Sequence, residues 1–281
     1  MGIGFALDSL GKLMPTQSFH SPSVYLDHWA LKEIAETEEL QSKFIRLIKS
    51  KNGVLLLNHQ NFVEYCGTAD SNQCNLAIEM LNKLFPNIFL AKFDLRTAAT
   101  EIRNEGHSVV SIQPISDQDF LDLITSRARN GKFFDELFSE IRLFRNEISD
   151  QLHQMSDSLL PLMAQLRSDP TFLNKAKRYV PTSDQPMDAI ALAEILRPIF
   201  LDASQPIDGH DVSDLIHALS SLAYCDFVLL DKKWVHYAGI MQHRIDSSSV
   251  AYKRPLIYSK KNNGINSFLN ELEKWKEDSH Q

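Results

Sequence analysis

The segment "GVLLLN" (residues 53–58) constrains the fold more than any other, because it is a run of apolar residues without polar alternation. An antiparallel strand with one face in water alternates apolar and polar residues, whereas an uninterrupted apolar strand is buried on both faces, as in a parallel sheet covered by helices. Further strands are predicted at "SVYLDHW" (23–29), "NIFLAKF" (87–93), "DFVLLD" (226–231) and "RPLIYSK" (254–260).

Helical segments separate these strands. Apolar residues between Leu31 and Ile48 recur three or four positions apart, and Asn52 and Gly53 end that helix. Further helices are predicted from residue 59, over 75–85, over 95–106 and at the C-terminal end. Strands connected through helices form parallel sheets with right-handed crossovers. The sequence therefore predicts a three-layer α/β/α fold with a mainly parallel central sheet.

The alternation stops between about residues 117 and 202, where helical patterns dominate. Apolar residues from Phe134 to Leu159 predict one long amphipathic helix, and Pro170, Pro181 and Pro186 punctuate shorter helices. We predict an N-terminal arm over residues 1–20, an α/β core formed by 21–112 and 206–281, and a helical insertion at 113–205. The insertion is expected to gate a cleft, to contact substrate, or to bind a protein partner or a second copy of the chain.

Composition narrows the class of protein. A hydrophobic content of 43% and a charged content of 23% are ordinary for a globular chain. No apolar run approaches the roughly 20 residues that cross a bilayer, and the N-terminus lacks a secretory pattern, so we expect no membrane association and a cytoplasmic location. The three cysteines form no CxxC pair, which favours reduced thiols over a zinc site. A net charge of −7 argues against nonspecific coating of nucleic acid, but it allows a local basic groove.

Four acidic residues lie near predicted strand ends. Asp27 ends the first predicted strand and Asp231 ends the fourth, while Glu64 follows the second and Asp214 lies in the helix before Asp231. Ligands of open α/β sheets bind beyond the carboxyl ends of the strands. Carboxylate oxygens with room for water suit Mg²⁺ or Mn²⁺, and four such charges in one place would repel one another without a cation. The pattern indicates a metal site.

Each acid also has a purely structural interpretation. Asp27 and Asp231 can be turn residues at strand ends, and Glu64 can be a solvated charge on its helix. Asp214 can be an acid favoured by the helix dipole, with Asp211 as the N-cap.

Three segments carry a family resemblance: "VYLDHWAL" (24–31), "NHQNFVE" (58–64) and "DLIHALSSLAYCDFVLLDKKW" (214–234). Their order and spacing resemble the successive acidic motifs of the PIN-domain ribonucleases, and Trp234 takes the aromatic position that follows the last acid. The resemblance implies a PIN-like nuclease that cuts RNA with Mg²⁺ or Mn²⁺. It implies that Asp27, Glu64, Asp214 and Asp231 are the catalytic, metal-binding acids.

The chain departs from the family pattern at four positions, which are His28, Trp29, Asn58 and Leu229. These departures support an alternative in which a PIN-like fold has lost efficient catalysis and serves as a binding or assembly module. A phosphatase of the haloacid-dehalogenase type also uses strand-end aspartates, but it requires an aspartate two residues after the first one, where Trp29 stands.

Five further residues are predicted to contact substrate. His217 lies on the same helix face as Asp214 and could orient a carboxylate or touch a phosphate. Lys232, Lys233, Lys260 and Lys261 follow strand ends, where they could bind a phosphate backbone. A satisfied helix histidine and solvated lysines are the structural alternatives.

Overall fold

The fold is described from a computed structural model, which covers residues 2–68, 71–92, 114–127, 133–185, 187–202, 204 and 208–276. The strands are β1 (Ile3–Leu7), β2 (Leu13–Gln17), β3 (Ser23–Leu26), β4 (Val54–Asn58), β5 (Ile88–Ala91), β6 (Phe227–Leu229) and β7 (Leu256–Tyr258). The helices are α1 (His28–Glu36), α2 (Glu38–Ser50), α3 (His59–Thr68), α4 (Ser71–Leu84), α5 (Gln118–Arg127), α6 (Phe133–Leu143), α7 (Arg145–Ser168), α8 (Pro170–Arg178), α9 (Met187–Leu201), α10 (Gly209–Tyr224), α11 (Lys232–Asp246) and α12 (Gly264–Lys274). The helix predicted over 95–106 lies outside the described residues.

The central sheet has five parallel strands in the order β5-β4-β3-β6-β7. All five predicted strands form, and the predicted α/β class is confirmed. The chain builds the sheet outward from β3 through β4 to β5, and it then returns to the other side of β3 for β6 and β7. The strand order therefore reverses between β3 and β6. Such a reversal opens a crevice beyond the carboxyl ends of the two strands, where open α/β sheets bind ligands.

Helices cover both faces of the sheet, so the fold has three layers. The first core lies on the face that carries Val24, Leu26, Leu55, Leu57, Ile88, Leu90, Phe227 and Leu229, against α1 to α6 and α12. The second core lies on the face that carries Tyr25, Val54, Leu56, Phe89, Ala91 and Val228, against α7, α9, α10 and α11. Successive residues of each strand point to opposite faces, and both faces are apolar, which explains the continuous apolar runs.

The long helix predicted from Phe134 to Leu159 is wrong, because the chain breaks at Phe144 into α6 and α7. Phe144 leaves helical geometry, with φ −99° and ψ 18°. Phe134 packs in the first core, whereas Met163 on α7 packs in the second. A straight helix could not reach both faces of the sheet, so the break lets the segment contribute to both cores.

Residues 3–17, within the segment predicted as an arm, form a hairpin in which β1 and β2 pair antiparallel. Gly11 takes a positive φ of 76° in its turn, a conformation that glycine adopts without steric cost. The Ile3 amide donates to the Pro86 carbonyl at 2.8 Å. The Gln17 side chain bonds to both backbone groups of Leu90. Its Nε2 donates to the Leu90 carbonyl at 3.1 Å, and its Oε1 accepts from the Leu90 backbone N–H at 2.7 Å. The hairpin is therefore tied to the edge of the sheet at β5.

Helix α10 begins one turn earlier than predicted, because Asp208 and not Asp211 is its N-cap. The Asp208 side chain accepts from the Asp211 amide at 3.0 Å, and the Asp211 side chain accepts from the Asp208 amide at 3.1 Å. The two residues thus form a reciprocal capping box, which satisfies two amides that the helix leaves without partners.

Replacing this cap is expected to have a modest effect on stability. Asp208→Ala should lower the free energy of unfolding by about 1 kcal/mol, because one capping acceptor is lost. Urea denaturation measures the change. Asp208→Asn is the control, since its amide oxygen preserves the acceptor and should leave stability nearly unchanged. Equal losses in the two variants would contradict the capping role.

Two predictions from composition can be compared with the structure. Cys66, Cys74 and Cys225 are buried and form no disulfide, as the sequence predicts. Within the described ranges, no helix combines the length and the apolar character that crossing a membrane requires.

Candidate functional site

The crevice where the strand order reverses carries two of the four predicted acids. Leu26 at the end of β3 is paired with Leu229 at the end of β6, and the Asp27 amide donates to the Leu229 carbonyl at 3.1 Å. Asp27 is the N-cap of α1, where its Oδ1 accepts from the His28 amide at 2.8 Å. Asp231 is the N-cap of α11, but its side chain makes no capping hydrogen bond. Asp27 and Asp231 therefore lie at the carboxyl ends of neighbouring strands.

The other two acids come from helices that follow or precede those strands. Asp214 lies in the second turn of α10, and the Trp234 indole donates from Nε1 to its Oδ2 at 3.2 Å. Trp234 lies in the first turn of α11, three residues after Asp231, so this contact joins the two helices beside the crevice. Glu64 lies on α3, and its Oε1 is 3.0 Å from Nε2 of His217 on α10.

A buried chain of polar side chains holds His217. The histidine is 1% exposed, and its Nδ1 shares a short hydrogen bond with the hydroxyl of Tyr25, which is fully buried on β3. The Asn61 side chain donates from Nδ2 to the Tyr25 hydroxyl at 3.0 Å. Because buried polar groups in low-dielectric surroundings hold one another firmly, this chain fixes the imidazole beside Glu64.

Asn58 and Asn61 support the same chain at the junction of β4 and α3. The Asn58 amide donates to Oδ1 of Asn61 at 2.8 Å, and the Asn61 amide donates to Oδ1 of Asn58 at 3.0 Å. Tyr25 and Asn61 are not among the site residues predicted from the sequence. The spacing of the two asparagines, three apart at a strand–helix junction, is a capping signal that could have drawn attention to Asn61.

The pKa values of Asp27 and Asp214 are raised by burial and by the charges of neighbouring acids. Burial, with smaller contributions from the charges of Asp231 and Asp214, raises the pKa of Asp27 to about 7 against the opposing effect of His217. Burial also raises the pKa of Asp214 to about 6, with contributions from Glu64 and Asp231, although the Trp234 hydrogen bond opposes this rise. We call Asp27, Glu64, Asp214 and Asp231 the acid cluster, because they form one electrostatic unit.

His217 is the histidine in contact with the acid cluster. Burial alone would lower the pKa of His217, but contact with Glu64 and the charges of Asp27 and Asp214 outweigh burial and raise it. From the sequence, the four charges are expected to require a cation. A protonated His217, the form that its raised pKa favours, would supply part of that compensation from the chain itself, so clustering of the acids does not by itself imply a metal.

The donor set fits Mg²⁺ or Mn²⁺ by its chemistry, since it offers carboxylate oxygens at a partly open crevice. The side chains are not gathered around one point, however. Over the parts of the chain that the structure describes, no group of three or more His, Cys, Asp and Glu side chains is arranged to hold a metal ion. The acids would have to change rotamers to share a cation, which Glu64 and Asp214 could do by releasing His217 and Trp234.

The predicted substrate-binding residues divide into two groups. His217 is buried, with Nδ1 bonded to the Tyr25 hydroxyl and Nε2 3.0 Å from Glu64, so it is placed to orient Glu64 and not to contact a substrate directly. Lys232 and Lys233 lie in the first turn of α11, where Lys233 forms an ion pair with Asp211. Lys260 and Lys261 are exposed directly after β7. All four lysines lie at the carboxyl edge of the sheet, on the same side as the acid cluster.

Comparisons of the chain with protein-family models, with curated proteins and with solved structures found no match. The function therefore has to be argued from the side chains at the crevice.

Proposed function

We propose that the protein is a PIN-like, metal-dependent nuclease that hydrolyses phosphodiester bonds in RNA. The observation that carries the proposal is the placement of the four acids of the cluster on the elements beside the reversal of strand order. Asp27 and Asp231 lie on neighbouring strand ends, and the raised pKa values of Asp27 and Asp214 reflect their burial and the charges of neighbouring carboxylates. Acids with perturbed pKa values in a crevice are typical of functional sites.

The four carboxylates would hold Mg²⁺ or Mn²⁺, directly or through water. A cation bound there supplies a water of lowered pKa and positive charge that stabilises the leaving oxygen. The chain's own contribution is positional. His217 holds Glu64, the Trp234 indole holds Asp214, and the N-terminus of α11 follows Asp231.

The lysines at the carboxyl edge would bind the RNA backbone. Lys232, Lys260 and Lys261 are exposed, and phosphate contacts from such residues set the register of a strand without reading its sequence. The chain can bind RNA despite its net charge of −7, because basic groups are needed only around the crevice.

A second candidate function is a PIN-like binding or assembly module without efficient catalysis. The contact between His217 and Glu64 favours it, because a protonated His217 would let the acid cluster persist without a metal. The departures from the PIN-domain pattern at Trp29, Asn58 and Leu229 also favour the binding module. A cytoplasmic location, and a protein partner or second copy bound through residues 113–205, stay predictions under either function.

The deciding experiment is cleavage of labelled single-stranded and structured RNA with Mn²⁺, Mg²⁺ or EDTA. Wild type should cut with either metal and not with EDTA, and Asp231→Asn should cut at least tenfold more slowly because a ligand is lost. Asp246→Asn is the matched control. It changes the last residue of the same helix, at the opposite end from Asp231, and should cut as wild type does.

Two outcomes would count against the nuclease. Undiminished cutting by Asp231→Asn would exclude the acid cluster as its site. If wild type neither cut RNA nor gained melting temperature with Mn²⁺, the binding module would be the better account.

A further inference from the structure

A second concave site lies at the opposite edge of the sheet from the acid cluster. It is a cavity of about 370 Å³ between the loops that enter three strands. Ser21 precedes β3, Tyr224 precedes β6 and Tyr252 precedes β7, so all three residues lie at the amino ends of their strands. The acid cluster lies beyond the carboxyl ends. A ligand could therefore bind in this cavity whether or not the acid cluster has nuclease activity.

Aromatic rings form much of the wall, and two of them are fixed. Phe19, Tyr224 and Tyr252 line the cavity beside the buried Met187 and Ile190. The Phe19 ring meets Phe89 edge to face, with centroids 5.2 Å apart. The Tyr252 hydroxyl donates to the Leu222 carbonyl at 3.1 Å. Rings held by such contacts need little ordering when a ligand arrives, which lowers the entropic cost of binding.

The polar groups at the cavity together carry little net charge. Gln185 accepts at Oε1 from the Tyr179 hydroxyl at 3.0 Å and from the Thr182 amide at 3.2 Å. Lys253 is the cation in the wall, but it forms an ion pair with Asp226, whose side chain is 1% exposed. Its ammonium also donates to the Ser21 hydroxyl at 2.9 Å. The charge of Lys253 is thus largely compensated, which gives an anionic ligand little advantage.

We propose that this cavity binds a neutral, planar heteroaromatic molecule of about the size of a purine nucleoside. Aromatic side chains stack against the faces of such rings, and the serine hydroxyls and the Gln185 amide can bond to ring and ribose atoms. A volume of 370 Å³ stands near the lower limit of small-molecule sites, which span roughly 300–1,000 Å³, so the ligand is small.

A second cavity supplies a matched control. It has a volume of about 300 Å³ and is lined by Phe172, Leu196 and Phe200, with Lys175 and Arg197 at its wall. It is similar in size, but it carries two cations whose charges no described carboxylate pairs at short distance, so it favours a different kind of ligand. Ala251 lines the first cavity and Ala193 lines the second, and replacing each by tryptophan fills one cavity without touching the other.

Equilibrium dialysis of the full chain with tritiated adenosine tests the proposal, with EDTA present to remove any metal at the acid cluster. Wild type should bind one adenosine per chain. Ala251→Trp should weaken binding at least tenfold, and Phe19→Leu about tenfold, because a stacking face is lost. Ala193→Trp should bind within twofold of wild type. Adenosine 5′-monophosphate should bind less tightly than adenosine, because the one cation among the described lining residues, Lys253, is paired with Asp226.

Each remaining outcome would overturn the proposal. These are no saturable binding by wild type, unchanged binding by Ala251→Trp or by folded Phe19→Leu, loss of binding in Ala193→Trp, or binding of the monophosphate at least as tight as that of the nucleoside. Cooperative thermal unfolding of each variant establishes that it is folded. Because Ala251 is exposed, its replacement keeps the test decisive even if Phe19→Leu does not fold.

Discussion

The Asp27→Asn variant is expected to be more stable than wild type at pH 8 and about equally stable at pH 4. The ordinary pKa of an aspartate is 3.8, whereas that of Asp27 is about 7, chiefly because the side chain is buried. Between pH 3.8 and about pH 7, Asp27 therefore keeps its proton in the folded chain but releases it in the unfolded chain. Wild type therefore loses stability as pH rises from about 4 to 7, and an asparagine removes that loss.

The size of the effect follows from the shift. A rise from 3.8 to about 7 corresponds to about 4 kcal/mol as an upper limit. Asparagine also keeps the cap, since its amide oxygen can accept from the His28 amide as Oδ1 of Asp27 does. Urea denaturation at pH 4, 6 and 8 measures the difference. Asp169→Asn is the control, because Asp169 is likewise an N-cap aspartate, on α8, but is exposed.

The response of the same variants to Mn²⁺ distinguishes the nuclease from the binding module. If the acid cluster binds Mn²⁺, the metal should raise the melting temperature of wild type more at pH 8 than at pH 5, because the carboxylates must be ionised to bind. Asp27→Asn should lose most of this rise, and Asp169→Asn should keep it. A pH-dependent gain in stability by Asp27→Asn without any response to Mn²⁺ would favour the binding module.

The sheet could be predicted from the sequence because its strands are buried on both faces. Such strands are continuous apolar runs, and the helices between them fix their parallel direction. The placement of Asp27 beside the end of β6 follows from the same logic, since carboxyl ends of parallel strands share one edge. For these elements, local pattern and tertiary structure agree.

Other features depend on contacts between residues far apart in the sequence. The pairing of Tyr25 with His217 joins β3 to α10, and nothing near either residue indicates the other. The break at Phe144 was missed because the apolar spacing continues through it, although the two halves pack on opposite faces of the sheet. Periodicity shows that a helix has an apolar face, but not which layer that face contacts.

A protonated His217 would reduce the need of the acid cluster for a metal ion. Carboxylates buried without compensation would be costly, which is why a sequence with four of them near strand ends points to a metal. His217 relieves part of that cost and also occupies Oε1 of Glu64, one of the oxygens that a metal would need. A metal and the imidazolium therefore compete for Glu64, and this competition can be measured.

Replacing His217 by leucine should lower the free energy of unfolding by about 3 kcal/mol near pH 6, because Glu64 and the Tyr25 hydroxyl lose a buried partner. The pKa of His217 is raised in the fold, so its charge stabilises the protein fully below the ordinary value of 6.5. That contribution disappears as pH rises through the folded pKa, and the deficit of the variant should therefore shrink by pH 9. Urea denaturation at both pH values measures this.

His243→Leu is the matched control, since His243 is exposed on α11 and its loss should change stability by less than about 0.5 kcal/mol. His217→Gln provides a second comparison, because a glutamine can bond to its neighbours but carries no charge. Equal deficits at pH 6 and pH 9 would mean that packing and hydrogen bonding, not charge, account for the role of His217. If Mn²⁺ restores more stability to His217→Leu than it adds to wild type, the metal replaces the imidazolium at Glu64. If Mn²⁺ restores none, a metal does not take the place of His217 at the acid cluster, and the binding module is favoured over the nuclease.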